Sequence, residues 1–422
     1  MPVPTGDFSP RGRSGSDRAN RLAKAALGAM LAAFSIAVWV GAGLDGQPVA
    51  EGAARLGGDY PAFHAAGSII LDGDLDQLYS AERQRAEQEH AGIDGYLAYA
   101  YPPHVAYAYA PLAALGFRVG YAVHTLLMVG ALFGALRLLS TPVPALRQWM
   151  WPAFAATLAF YPIFKAVGGG QNTALSVLLV AAVWRLLADD RETAAGVASG
   201  LLLFRPQYAL PLICLLGLAR HGRAVRAAVV TALVTWAAVA TVAGLGWISW
   251  WMEAVLPFVE RDAEVNAPNS ISIVGFLQAI WGHDATPALV LGFSGAALVA
   301  ATLAWTWAHP TRFSLDQRMG LTAVGVLLIS PHTMFYDAGL LVVAGGALFA
   351  AAPAALEAGV ALKAAGLVWT AALLHPAAAA SASPLGAVVV FVFGAWVWLI
   401  FNRSQPSSFP ADRSPNPEVQ HA

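Results

Sequence analysis

The feature that most constrains this chain is a recurring pattern of apolar runs approaching helix-span length, separated by short polar turns, from about residue 22 to residue 401. About 20 apolar residues of helix cross about 30 Å of hydrocarbon. Within that layer every backbone N–H and C=O must find its partner inside the protein, a demand met only by helices and closed barrels. The runs lack the period-two alternation of barrel strands. The chain therefore reads as an all-α integral membrane protein, a multi-spanning helical bundle. Composition agrees, with 58% hydrophobic and 12% charged residues, against about 25% charged in soluble domains. A net charge of −1 offers no basic face for nucleic acid. One cysteine, Cys214 in an apolar run, excludes a disulfide framework.

Lys and Arg placement orients the bundle, because short cytoplasmic segments collect them. Residues 1–21 are rich in Pro, Gly, Ser and Arg and read as a disordered cytoplasmic N-terminus. Spans are expected at about 22–44, 118–139, 149–166, 171–187, 225–245, 287–308, 358–374 and 385–401, with two more around SPHTMFYD at 330–337. Two shorter helices, about 193–204 and 207–219, meet at Arg205-Pro206, since proline removes a backbone donor and clashes with the preceding turn. That gives about 12 spans within one transmembrane domain, 22–402, ahead of a disordered cytoplasmic tail at 403–422. Two polar outer loops stand out, residues 45–103 and about 247–283. The piece from His104 to Gly116 is too short to cross and is expected as a partial helix at the outer leaflet.

The first outer loop carries GGDYPAFHAAGSIILDGDLDQLYSAERQRAEQEHAGIDGYLAYAYPP. Asp59 follows its Gly-Gly pair just beyond the first expected span. A carboxylate partly desolvated there acquires the raised pKa of a general base. It equally fits a helix N-cap, with Pro61 in the first turn. Tyr60, Tyr101 and His104 share the loop or its edge, and the loop's aromatics suit sugar stacking as well as a membrane interface. Gln171 and Asn172 close GGGQN, an outer turn that is either an anion-friendly helix start or a plain flexible linker. Arg205, before its proline, offers bidentate donors to phosphate or snorkels to the interface. Asn269 lies in the second outer loop. His332 ends an apolar span, where an imidazole relays protons, binds phosphate or satisfies a helix end; Asp337 pairs with it or caps the next helix. All these positions fall on the outer side of the expected topology.

Other chemistries lack their signatures. There is no GxxxxGK[ST], no GxGxxG after a strand, no HExxH and no Cys/His cluster with zinc spacing. No cofactor is expected, and a donor already embedded in the bilayer suits a chain with no soluble nucleotide-binding domain. Two other classes share the pattern: a transporter or flippase of a lipid or saccharide, against which stand the single dominant outer loop and the absence of a duplicated hydropathy pattern, and a structural member of a polysaccharide-assembly complex.

Read together, GGDYPAFHAAG, DLDQLY, YAYPPHVAYAYAPLAAL, GGGQN, FRPQYALPL, APNSISIVG and SPHTMFYDAGLL, in this order, resemble glycosyltransferase family 87 over about residues 20–400. The resemblance implies a GT-C-type bundle with a large first outer loop, in the cytoplasmic (inner) membrane of a bacterium. It implies inverting transfer of a hexose, mannose favoured, from a polyprenyl-phosphate donor to a lipid or glycan acceptor at the outer face. An acidic residue in the first outer loop is then the base, and Asp59 aligns with it. His332 matches the family's SP-containing segment, although Tyr336-Asp337 stands where actinobacterial members carry paired histidines. Arg205 stands where many members have Lys before Pro.

Overall fold

The computed structural model describes residues 58–93, 96–351, 360–375 and 382–403. The expected first span, the N-terminal segment before it, residues 45–57 of the first outer loop and nearly all of the tail lie outside the described residues. Among the described residues the protein is all-helical, with 81% helix and no strand.

The described part of the first outer loop is mostly helix. Helix α1 (Tyr60–Asp72) starts with Pro61 in its first turn and stops at Gly73, whose φ of 81° closes the C-terminus. Helix α2 (Ala81–His90) is capped by the Ser80 side chain and has no apolar face. Its buried residues are Gln84 and Gln88. Their amides bond the backbone of the extended stretch after it, Gln84 at Tyr99 and Gln88 at both groups of Leu97, so a polar helix supplies the partners that a sheet neighbour would. Helix α3 (Pro103–Ala113) crosses α1 closely: a Cβ on Gly67 would stand 2.9 Å from the Tyr109 carbonyl.

Helix α4 (Phe117–Leu139) is the first described span. The run expected to cross at about 149–166 instead breaks into α5 (Met150–Ala159) and α6 (Tyr161–Gly168), bent by 72°. Pro162 accounts for the break, because it has no N–H to donate back to the preceding helix and its ring clashes with that turn, so the chain turns at Phe160, whose ψ of 117° is extended. Helices α7 (Thr173–Ala188), α8 (Glu192–Leu201) and α9 (Pro206–Leu218) follow, the last two separated by a 3₁₀ turn ending at Arg205. Helix α10 (Gly222–Ala243) packs on α8 where Gly196 and Gly200 remove side chains from the contact.

The second outer loop is also helical. Helix α11 (Trp247–Val265) runs through Pro257, then a 3₁₀ turn leads to α12 (Ile273–Trp281). Helices α13 (Thr286–Ala308), α14 (Leu315–Ile329), α15 (Leu341–Ala351), α16 (Val360–Leu374) and α17 (Pro384–Arg403) complete the chain. Among the described residues four helices, α4, α10, α13 and α17, are long and apolar enough to cross a membrane, or five spans if the bent pair counts as one. Burial separates their roles. Only 11% of the apolar window of α10 is buried, and Val230, Leu233 and Val234 point outward; in a bilayer that face meets acyl chains. Helix α14 is the opposite, buried on every side from Arg318 to Leu328, and forms the centre of the C-terminal half.

Candidate active site

Two glycine-containing turns, far apart in sequence, meet back to back. Gly58 has a φ of 39°, and a Cβ on it would lie 2.6 Å from Gly169 Cα and O. That contact admits no side chain, and it lets the Asp59 N–H donate to the Gly169 carbonyl at 2.7 Å. Gly58-Asp59 and GGGQN are therefore halves of one crossing. Asp59 occupies the N-cap position of α1, yet its side chain makes no capping hydrogen bond. Its carboxylate instead accepts from Gln171 Nε2.

Asp59 lines a cavity of about 490 Å³. Its carboxyl is enclosed by protein although the residue keeps some exposure. Burial chiefly raises its pKa, to about 6; the Asp262 carboxylate adds to the rise and the Arg205 guanidinium opposes it. At neutral pH the group is ionised and close to the point of taking a proton, the condition a general base needs.

Behind Asp59 lies a buried polar network centred on Arg205, whose residue is 2% exposed. Its Nε donates to Asn172 Oδ1 at 2.9 Å, and its Nη2 to Gln171 Oε1 at 3.1 Å and to the Tyr101 hydroxyl at 3.3 Å. Nη1 forms an ion pair with Asp337. Asp337 Oδ2 in turn accepts the Met334 N–H at 3.1 Å, starting the 3₁₀ turn Phe335–Leu340. Most of the five guanidinium N–H groups are thus committed to protein acceptors, and a carboxylate cancels the charge.

The opposite wall is α11. Trp251, Val255, Phe258, Val259, Asp262 and Asn266 share one face of it and line the cavity. Trp251 fixes the helix by donating to the Ala100 carbonyl at 3.1 Å. Asp262 Oδ1 accepts from Asn266 Nδ2 at 2.7 Å, and Oδ2 stands 3.1 Å from His332 Nδ1. His332 is held by a staple between two loops: Ile271 N–H donates to the Thr333 carbonyl at 2.9 Å and the Ser272 hydroxyl to the Pro331 carbonyl at 3.2 Å.

Of the residues singled out from sequence, the structure places Asp59, Tyr101, Gln171, Arg205, Asn269 and His332 on the cavity wall. Asn172 and Asp337 stand directly behind, bonded to Arg205. Tyr60 and His104 do not reach it. Tyr60 is sealed among Phe117, Tyr121 and His124, and His104 is partly buried on α3 with its Nδ1 sealed. Of the loop aromatics, Phe63, Tyr99 and Tyr101 line the cavity, with Phe63 stacked on Tyr109 at 4.4 Å. Asp337 pairs with Arg205 rather than His332. Sequence reasoning missed Asp262, Asn266 and Trp251. Their spacing of 11 and 4 residues is a helical signal, hidden by reading 247–283 as loop. Among the described residues no group of three His, Cys, Asp or Glu is placed to hold a metal ion.

No curated protein matches the chain. The model of glycosyltransferase family 87 matches residues 99–331, a stretch that carries Tyr101, Gln171, Arg205, Asn269 and Asp262 and ends one residue before His332. With more than half of its length matched, and with a partly enclosed carboxylate facing a cavity in a helical membrane protein, the chain belongs to glycosyltransferase family 87.

Proposed function

We propose that the protein is an inverting hexosyltransferase that moves a hexose, mannose favoured, from a polyprenyl-phosphate donor to a lipid or glycan acceptor. In this reading it is a GT-C-type bundle of about 12 spans in the bacterial cytoplasmic membrane, with the cavity facing outward. The observation that carries it is the cavity's division. One wall presents Asp59 with a pKa near 6, and the facing wall presents an apolar strip of Met252, Val255, Leu256 and Val259. An amphiphilic donor needs both.

Inversion requires no covalent enzyme intermediate. The acceptor hydroxyl attacks the anomeric carbon, and its proton passes to Asp59. The bond from that carbon to the phosphate oxygen breaks on the far side, and the electron pair leaves with the lipid phosphate. Gln171 keeps the Asp59 carboxylate aimed into the cavity, and Arg205 keeps Gln171 in place. Phe63, Tyr99 and Tyr101 supply faces for the sugar.

The test is transfer of radiolabelled mannose from polyprenyl-phosphate-mannose to membrane lipids in proteoliposomes. Wild type moves label, and Asp59→Asn lowers the rate by about 10²–10⁴ with unchanged melting. Equal rates in both would remove Asp59 as base. No transfer by wild type from any polyprenyl-phosphate hexose would overturn the donor assignment.

A further inference from the structure

The cavity wall carries two side chains that can donate to an anion, Arg205 and His332, and they are placed very differently. Arg205 and its partner Asp337 have side chains 3% and 4% exposed, and the guanidinium donors face protein oxygens. His332 and Asp262 are 31% and 15% exposed. The Nδ1 of His332 and the Oδ2 of Asp262 are both shut off from solvent with no other partner, and they stand 3.1 Å apart, a charge contact not yet aligned as a hydrogen bond; the exposed part of the ring is the edge that carries Nε2. Asp262 is itself fixed, because Asn266 occupies its other oxygen, and the histidine's backbone is pinned by the Ser270–Ser272 staple. A carboxylate that grips one nitrogen of an imidazole orients the other.

We propose that Asp262 is a positioning residue that holds His332 by Nδ1 so that Nε2–H meets the departing phosphate, and that this pair, not Arg205, is the cavity's donor to the leaving group. The inference rests on the lipid-phosphate donor proposed above. In the protonated ring both nitrogens are donors: Nδ1–H goes to Asp262, and Nε2–H is left for a phosphate oxygen. The phosphate leaves with the bonding electron pair, and His332 gives it a hydrogen bond without surrendering its proton. The acceptor's proton goes to Asp59 on the other wall, so the two proton sites do not compete. Arg205, neutralised by Asp337, serves as scaffold.

The experiment measures binding of farnesyl phosphate, a short analogue of the lipid product, to the full chain in nanodiscs, with farnesol as the uncharged control. Wild type, Asp262→Asn, His332→Gln and the double variant form a cycle. Each single substitution is expected to weaken farnesyl phosphate binding about tenfold, the effect of losing one charge-assisted hydrogen bond. The double variant should be no weaker than His332→Gln alone, because Asp262 acts through the histidine. Should Asp262→Asn lower the melting temperature, Asn266→Ala takes its place in the cycle, since it loosens the carboxylate without removing it. Asp262→Asn binding like wild type, or losses that multiply in the double variant, would overturn the proposal. Wild type binding farnesyl phosphate no better than farnesol would overturn the lipid-phosphate reading and the inference with it.

Discussion

Two acid–base pairs bound the same cavity, and burial divides their work. Arg205–Asp337 is sealed and multiply bonded; His332–Asp262 lies at the edge, partly open. A buried ion pair contributes little net stability against an apolar substitute, yet breaking one side of it leaves an uncompensated charge. Such a pair suits architecture: it ties α9, the start of α7 and the 332–337 turn into one rigid floor. An open pair keeps a free nitrogen and is available to substrate. Electrostatic strength and functional availability thus run in opposite directions across one pocket.

The comparison breaks hardest at Arg205. Arg205→Ala should destabilise the protein by about 3–5 kcal/mol through the unpaired Asp337, read as a large fall in melting midpoint. The paired change Arg205→Met with Asp337→Leu should recover most of that loss, and a double variant as unstable as the single would show that the pair does more than cancel charge. Next in size is the glycine crossing. Gly58→Ala forces a Cβ into Gly169 and should lower kcat/KM by about 10²-fold through displacement of Asp59, while melting changes less than in Arg205→Ala.

Smaller effects sharpen the picture. In the proposed transfer Asp59 accepts a proton only when ionised, so kcat/KM should fall as pH drops through about 6. Gln171→Leu removes the donor to the ionised carboxylate, which disfavours the charged form. The acid limb of the profile should therefore move to higher pH, with a rate loss of about tenfold at neutral pH. Asp262→Asn acts in the opposite sense, because it removes a carboxylate that raises the Asp59 pKa; the acid limb should shift to lower pH by less than about one unit. A profile unchanged in both variants would separate the limb from Asp59.

Much of this was legible in the chain. Spans α4 and α13 begin and end within about a residue of the expected positions, because hydrophobic length is a local property. The break at Arg205-Pro206 was equally local. The bend between α5 and α6 was missed although Pro162 marks it, since the run is apolar on both sides and hydropathy does not register a kink. The site was half legible. Asp59, Gln171, Arg205 and His332 stood out as polar groups at the ends of apolar runs. Asp262 did not, because it sits in a charged stretch, VERDAEV, where one more carboxylate attracts no notice until the helix face is known.

The order of residues is enough to establish a helical membrane protein, roughly where its helices lie, and which polar residues are costly enough at those depths to need a reason. Hydrophobic length, proline geometry and charge all act through neighbours in the chain. The partnerships come from the folded chain alone: Asp59 with Gln171 across 112 residues, and Arg205 with Asp337 across 132. It likewise decided that Tyr60 belongs to the core and Asp262 to the cavity. A side chain's charge is fixed by its type, but its partners and its access to solvent depend on which distant helices close around it.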